Sequence, residues 1–255
     1  MPEHDVVGIR AANPGPFSLS GTNSWIVGRG PAWLIDPGPA LPAHLDALLD
    51  ELSARGGAGG IVLTHDHPDH NEAVPELRSR MPGVPVAAAR GDVDQILRDG
   101  ERLGPLEVLA VPGHAPDHLV FISAGVAFTG DAVLGEGSVF VAPTPGALRD
   151  YLEGLRRLRE RTLALICPGH GPLVKDPRAK IDEYIEHRLE RERRLLSALD
   201  QGMRGSDELL DAVWSDAPAA LRPAAAVTLA AHLDKLDDEG RLPAGVERPP
   251  GWPLA

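Results

Sequence analysis

Short apolar runs alternate with helical patterns along the first two thirds of the chain. Runs rich in β-branched residues predict strands, and stretches with apolar residues every three or four positions predict helices at 40–54, 70–80 and 146–160. Because strands occur in groups with helices between them, the order predicts an α/β (α+β) fold in which two sheets pack face to face with helices outside. The predicted strands are 6–10, 24–27, 32–36, 61–64, 84–88, 106–111, 118–123, 125–129 and 163–167.

The pattern changes after residue 175. A long helical pattern covers 177–199, and shorter ones follow at 207–214, 218–220 and 224–239. Gly240 and a short apolar stretch at Leu242 then suggest a turn and a strand, the order in which a winged helix ends. From Val246 the chain is proline-rich, which predicts irregular structure. We therefore expect three parts: a domain at 1–175, a connecting helix at 176–200 and a winged-helix-like segment at 201–255.

Residues 64–70 read Thr-His-Asp-His-Pro-Asp-His and follow directly on an apolar run. Imidazole and carboxylate groups suit zinc, and His65 and His67 can point the same way from an extended loop. Asp69 and His70 then point elsewhere, so one sharply turning loop can serve two metal ions. The alternative is an ordinary polar loop between a strand and a helix.

Further candidate ligands recur in one setting, a small-residue turn at the end of an apolar run. His114 and His170 each follow Pro-Gly, and Asp131 follows Gly130. Each glycine lets the backbone turn sharply at the strand end. Side chains that are distant in sequence are therefore expected to converge at one edge of a sheet. Any one of these turns alone is a weak signal, whereas all of them together with residues 64–70 are a strong one.

These motifs, with Asp36 in Leu-Ile-Asp-Pro-Gly, resemble those of the metallo-β-lactamase superfamily of hydrolases and occur in the family order. Residues 130–137 and 180–188 are similar to the lactamase-beta-two-like branch, which is related to glyoxalase II-type and thioesterase members. The resemblance implies a four-layer αββα sandwich with a C-terminal helical, winged-helix-like appendage.

The resemblance also implies two zinc ions per chain, or other divalent metals such as manganese or iron. The ligands of the first ion would be His65, His67 and His114. The ligands of the second ion would be Asp69, His70 and His170. Asp131 would bridge the two ions, Asp69 could pass on a proton, and Asp36 would orient the histidine loop. A hydroxide shared by the ions would attack a thioester or another ester-like carbonyl.

Four other residues are candidates for contact with substrate. His118 lies four residues after His114, and the other three lie on the long predicted helix: Tyr184, His187 and Arg188. For each of them, packing or a surface position is the alternative. Basic and acidic residues are interleaved along the same helix, which favours a surface laced with salt bridges over a nucleic-acid-binding patch.

Three alternative functions stay open. The first is a metal-dependent endoribonuclease acting on short single-stranded RNA, although a net charge of −12 disfavours broad nucleic-acid binding. The second is true β-lactamase activity, at a weak level, which is disfavoured because Asp131 stands where some true β-lactamases have a cysteine. The third is a non-catalytic winged-helix binding or regulatory protein.

Composition adds limits of its own. The chain has 255 residues and one cysteine, Cys167, which we expect to be a buried small hydrophobe. No apolar run approaches the roughly 20 residues of a membrane span, and the N-terminal residues lack the pattern of a signal peptide. We therefore expect a cytoplasmic, membrane-independent protein, monomeric or homodimeric. Two zinc ions with their carboxylate ligands and a hydroxide would keep a net positive charge, so we expect a small anionic or polarised substrate.

Overall fold

The computed structural model describes residues 5–249. Its strands are β1 (Val6–Arg10), β2 (Asn23–Val27), β3 (Ala32–Ile35), β4 (Ala58–Val62), β5 (Val86–Ala88), β6 (Gln95–Ile96), β7 (Arg102–Leu103), β8 (Leu106–Ala110), β9 (Leu119–Ser123), β10 (Val126–Gly130) and β11 (Leu165–Pro168). Its α-helices are α1 (Pro42–Ala54), α2 (Pro68–Asn71), α3 (Val74–Arg80), α4 (Ala147–Arg159), α5 (Pro177–Asp200), α6 (Ser206–Val213) and α7 (Arg222–Asp238).

The strands form two sheets. The first has the order β1-β2-β3-β4-β5-β6, antiparallel at the start and parallel from β3 onward. The second has the order β11-β10-β9-β8-β7 and is antiparallel except for the pair β10 and β11. Several strands in each sheet therefore end at the same edge, which lets their C-terminal loops meet.

The two sheets and the helices outside them form four layers. Val27 and Ile35 face the core between the sheets, where they join Phe121 and Phe128 of the second sheet. Their sequence neighbours Ile26 and Leu34 point outward and pack against α1 and α3. The outer face of the second sheet packs against α4 and the start of α5. The predicted αββα sandwich is confirmed. Successive side chains of a strand point to opposite faces of its sheet, so each strand packs against the other sheet on one side and against helices on the other.

The C-terminal helices have a core of their own. The end of α5 packs with α6 and α7 through Leu199, Leu209, Trp214 and Leu233, which are all buried. A single 3₁₀ turn at Ala219–Leu221 leads into α7. No helix among residues 5–249 is both long enough and apolar enough to span a bilayer.

Most predicted elements are confirmed, and two predictions are wrong. The helix expected at 70–80 is two helices, α2 and α3, because the chain turns between them around residues 72–73. The strand expected near Leu242 is absent, and residues 241–249 contain no strand. Pro243 and Pro249 have no N–H to donate to a ladder, which disfavours a strand there. The two-residue strands β6 and β7 were not predicted, since they are too short to show a pattern.

Candidate metal centre

The candidate ligands lie together at the loop ends of both sheets. Asp36 follows β3, residues 64–70 follow β4, and His114, Asp131 and His170 follow β8, β10 and β11. The backbone of Asp36 is left-handed, with φ of 50°, which suits the tight turn that brings its carboxylate under the histidine loop. The convergence that the sequence predicts is therefore present in the structure.

Two groups of ligand atoms can be separated. The first contains His65, His67 and His114: Nδ1 of His67 lies 2.9 Å from Nε2 of His65 and 3.1 Å from Nε2 of His114. The second contains Asp69, His70 and His170: the Nε2 atoms of the two histidines are 3.3 Å apart. Each group is close enough to hold one ion.

Asp131 lies between the two groups. Its Oδ2 is 3.6 Å from Nε2 of His114 in the first group. Its Oδ1 is 3.5 Å from Nε2 of His70 and 3.4 Å from Nε2 of His170 in the second. One carboxylate oxygen thus faces each group, which is the position that a bridging ligand requires.

Buried hydrogen bonds fix the orientation of the histidine loop. The backbone N–H and the hydroxyl of Thr64 both donate to the Asp36 carboxylate, each at 2.7 Å. Since the hydroxyl proton is directed to Asp36, the Thr64 oxygen accepts from Nδ1 of His65 at 3.0 Å. Nδ1 of His70 donates to Asp36 at 2.9 Å. Asp36 therefore orients two rings so that the Nε2 of each faces the centre.

Backbone carbonyls orient the remaining two strand-end histidines. Nδ1 of His114 donates to the Phe140 carbonyl at 3.2 Å, and Nδ1 of His170 donates to the Gly21 carbonyl at 3.4 Å. Their Nε2 atoms also face inward. In the first group, imidazole nitrogens face one another at about 3 Å, and a divalent cation would satisfy their lone pairs. In the second group, a cation could replace a proton held between the histidines and the carboxylates. The residues present therefore fit a pair of metal ions.

Close packing at two glycines keeps the centre compact. A Cβ on Gly169 would lie 2.6 Å from Oδ1 of Asp131, and one on Gly130 would lie 2.3 Å from the Thr64 hydroxyl. Gly130 also has φ of 45°. Both positions therefore require glycine to bring the ends of β10 and β11 against the histidine loop.

The two groups differ in protonation. Burial lowers the pKa of His65 and His67, and lowers that of His114 to about 4, so these rings are neutral at neutral pH. Burial also opposes protonation of His170, but the Asp131 and Asp69 carboxylates outweigh it and raise its pKa to about 9. A cation bound in the second group would take the place of that proton.

The four candidate substrate contacts occupy different settings. His118 is buried, stacks on His65, and accepts a hydrogen bond from the Asp131 backbone N–H at 3.1 Å. The structure thus places it behind the ligands, where it positions Asp131, and not on the cavity wall. The other three line a cavity: Tyr184, His187 and Arg188.

That cavity has a volume of about 510 Å³ and reaches from the centre to the C-terminal helices. His114 and Asp131 line it on the sandwich side. Its apolar wall includes Phe17, Leu134, Phe140 and Trp214. These four residues were not predicted as site residues, because a lone apolar residue in a loop or a distant helix gives no pattern that points to a cavity.

Other sequence candidates lie outside the centre. Asp66 is exposed, accepts from the Asn71 amide at 2.6 Å, and belongs to neither ligand group. Cys167 is buried between the sheets as predicted, and burial raises the pKa of its thiol to about 12. It therefore serves as a core residue and not as a nucleophile.

A two-sheet sandwich that gathers histidines and aspartates at its strand ends defines a class of metal-dependent hydrolases. Two family models match the chain, the metallo-beta-lactamase superfamily over residues 81–170 and the beta-lactamase associated winged helix domain over residues 206–243. The beta-lactamase-like protein 2 homolog of Caenorhabditis elegans is 32% identical over 92% of this chain and 85% of its own length. The chain therefore belongs to the metallo-beta-lactamase superfamily and is a metal-dependent hydrolase.

Two further proteins are similar over most of their length. An atrochrysone carboxyl ACP thioesterase of Aspergillus chevalieri is 34% identical, over 82% of this chain and 72% of that protein. The crystal structure of a metallo-beta-lactamase family protein from Thermus thermophilus aligns with a TM-score of 0.69 at 27% identity. It covers 94% of this chain and 95% of its own, so the likeness includes the C-terminal helices.

Proposed function

We propose that this protein is a dinuclear zinc hydrolase that cleaves a thioester or a similar ester-like carbonyl compound. The observation that carries the proposal is the position of Asp131, with one oxygen facing each ligand group at the wall of a largely apolar cavity. A small polarised carbonyl compound could reach the centre through that cavity.

The donor set favours zinc. Five imidazoles and two carboxylates suit a borderline metal, whereas magnesium and calcium prefer oxygen ligands. Two zinc ions bound there would supply a hydroxide nucleophile near neutral pH and would polarise the carbonyl oxygen. Manganese and iron are the alternatives, and metal analysis distinguishes them.

Asp69 is the residue of this chain that we assign to proton transfer. Its side chain is 36% exposed, whereas that of Asp131 is only 12% exposed, so Asp69 is the more accessible carboxylate. Burial raises the pKa of Asp69, but the hydrogen bond from His170 and the nearby His70 lower it overall. Asp69 is therefore ionised at neutral pH, so its carboxylate can accept the proton of the attacking water and return it to the leaving thiolate, which yields a carboxylic acid and a thiol.

The other residues hold the reacting groups in place. Asp36 and Thr64 lock the histidine loop, and His118 accepts from the backbone N–H of Asp131, which keeps the carboxylate between the groups. The apolar wall formed by Leu134, Phe140 and Trp214 excludes water from the body of the substrate. No serine or cysteine nucleophile is needed.

The thioester assignment is also supported by the similarity to a protein named as an ACP thioesterase. A thiolate is a good leaving group, so its departure needs little protonation. The net charge of −12 supports a small substrate over RNA.

A substrate panel tests the proposal. Acyl-N-acetylcysteamine thioesters, lactoyl-glutathione, a lactone, a chromogenic β-lactam and single-stranded RNA are each incubated with the zinc-loaded protein, with and without chelator. We expect chelator-sensitive cleavage of the thioesters above all other compounds. The matched variants are Asp69→Asn, expected to be slow, and Asp66→Asn in the same loop, expected to match wild type. Preferential cleavage of RNA or β-lactam would replace the thioester assignment.

A further inference from the structure

Arg188 is a buried cation in the wall of the cavity. Its residue exposure is 2%, although it is among the largest side chains of the protein. Its Nη2 donates to the Ser138 hydroxyl at 2.9 Å and to the carbonyl of Val139, and the guanidinium lies 5.8 Å from the centre of the Tyr151 ring. All these neighbours are neutral.

No carboxylate neutralises this guanidinium within residues 5–249. The carboxylates that line the cavity have other partners or positions: Asp216 pairs with Arg191 at 2.7 Å, and Glu183 pairs with Lys180 at 2.8 Å. Glu136 is exposed and Asp131 belongs to the metal centre. None of them lies within 4.0 Å of Arg188, so its charge is uncompensated.

One donor of Arg188 is also unused. Its Nε is buried and has no hydrogen-bond acceptor. The neighbouring His187 does not compensate the charge either: burial, Arg188 and Arg191 lower its pKa to about 4, so the ring is neutral. A buried, unpaired guanidinium with a free N–H is costly unless a ligand supplies the missing anion.

We propose that Arg188 forms an oxyanion-binding subsite in the cavity, which selects substrates carrying a carboxylate or phosphate away from the bond that is cleaved. As a statement about substrate class, this rests on the proposed thioester hydrolysis at the metal centre. The apolar wall between the two sites would hold the body of the molecule, with the scissile carbonyl at Asp131 and the anion at Arg188.

A thioester can present such an anion from two sources. A carboxylate can belong to the acyl group, or a phosphate can belong to a phosphopantetheine carrier on the thiol side. Both form charge-assisted hydrogen bonds with a guanidinium. Separate probes distinguish them.

Calorimetric binding to the zinc-loaded protein supplies the test without turnover. The probes are glutarate, adipate and suberate, each against its monocarboxylate of equal length (pentanoate, hexanoate or octanoate), and pantetheine 4′-phosphate against pantetheine. One carboxylate of each acid can occupy the metal centre, so the second reports on Arg188. We expect at least one pair to show about tenfold or greater preference for the extra anion, as one charge-assisted hydrogen bond provides.

Three variants identify the source of that preference. Arg188→Gln removes the charge, and Ser138→Asp neutralises it from an exposed loop position without removing the guanidinium. We expect both to abolish the preference while binding of the monocarboxylate or pantetheine stays within about twofold. Arg193→Gln removes an exposed arginine of the same helix that pairs with Glu186 and Glu190, and it should keep the preference.

The outcomes are separable. Absence of any preference in wild type, or an unchanged preference in both Arg188→Gln and Ser138→Asp, overturns the oxyanion subsite. Equal loss of binding for the charged and uncharged probes in these variants also overturns it, because that result indicates a purely structural role. Failure to cleave thioesters would refute the proposed function. The calorimetric preference would still decide whether Arg188 binds an anion, because it is measured without turnover.

Discussion

The candidate ligand histidines of the sandwich and the buried polar groups of the C-terminal helices differ in their hydrogen-bond partners. In the sandwich, four of the five candidate ligand imidazoles are hydrogen-bonded to Asp36, Thr64 or a backbone carbonyl, so their positions are fixed before any ligand arrives. Where α5 meets the C-terminal helices, Arg188 keeps a free Nε and His232 has no hydrogen-bond partner on either nitrogen. The first region thus fixes most of its candidate ligand imidazoles by hydrogen bonds, whereas the second keeps buried polar groups without partners.

Within residues 5–249, the hydrogen bonds that join the two regions are made by residues other than the candidate metal ligands, those of Arg188 to Ser138 and Val139 among them. The Tyr184 hydroxyl accepts from the Leu134 backbone N–H at 3.0 Å, and the Thr228 hydroxyl accepts from that of Val141 at 3.3 Å. Within the C-terminal region, Arg191 joins α5 to the end of α6 at Val213 and to the following loop at Asp216. We therefore expect changes in one region to leave the main property of the other intact.

The largest expected effect is that of Asp131→Ala. Removal of the carboxylate between the two ligand groups should reduce hydrolysis to the uncatalysed rate, because both ions lose a shared ligand. Steady-state kinetics measure this, and circular dichroism should show an unchanged fold. Activity equal to wild type would refute the bridging position.

Trp214→Ala tests the C-terminal region. Trp214 is buried in the core of α5, α6 and α7 and lies under the guanidinium of Arg191. Loss of the indole should lower the free energy of unfolding by about 3 to 5 kcal/mol, as measured by denaturant titration. The metal content should not change, and loss of metal in this variant would show that the two regions are not separable.

Asp36→Asn should have a smaller effect on the sandwich. Asparagine keeps the size of the side chain, but it cannot accept from Thr64 and His70 with a full negative charge. We expect metal affinity to fall by roughly 10- to 100-fold, measured by competition with a chromogenic chelator. An affinity within twofold of wild type would mean that Asp36 does not support the histidine loop.

The smallest expected effect is the pH dependence due to His232. Burial, followed by the nearby Arg188 and Lys235, lowers the pKa of His232 well below its ordinary value of 6.5, so the folded protein holds it neutral. The unfolded chain gains a proton as pH falls below about 6.5, which reduces the stability of the folded state by up to about 1.4 kcal/mol per pH unit. His232→Leu should remove this part of the slope in denaturant titrations between pH 7 and 5. Equal slopes in both proteins would contradict it.

The sequence predicted the metal centre better than the cavity. His114, Asp131 and His170 could be placed because each follows a glycine at the end of an apolar run, and parallel strands bring such ends together. Arg188 was a candidate for substrate contact, but its burial could not be predicted, because a helix with interleaved charges predicts a solvated face. That holds for Arg193 and Arg194, which are exposed and paired, but Arg188 and Arg191 are buried by α6, α7 and residues 138–140. Burial by distant segments leaves no local signal.

In the C-terminal part, too, local sequence did not reveal a tertiary feature. The periodicity of Leu229, Leu233 and Leu236 predicted α7, but the strand expected after Gly240 does not form. A strand forms only beside a partner strand, and the sequence of residues 241–249 does not show whether a partner strand lies next to them. Local patterns therefore predict helices and turns here, whereas pairing and cavities depend on tertiary contacts.

The most direct test of the metal centre is the metal-to-protein ratio, measured by mass spectrometry after zinc reconstitution and removal of free metal. The two ligand groups predict two zinc ions per chain for wild type and for Asp66→Asn, and fewer than two for Asp131→Ala. Less than one ion per chain in wild type, or an unchanged ratio in Asp131→Ala, would contradict a dinuclear centre bridged by Asp131.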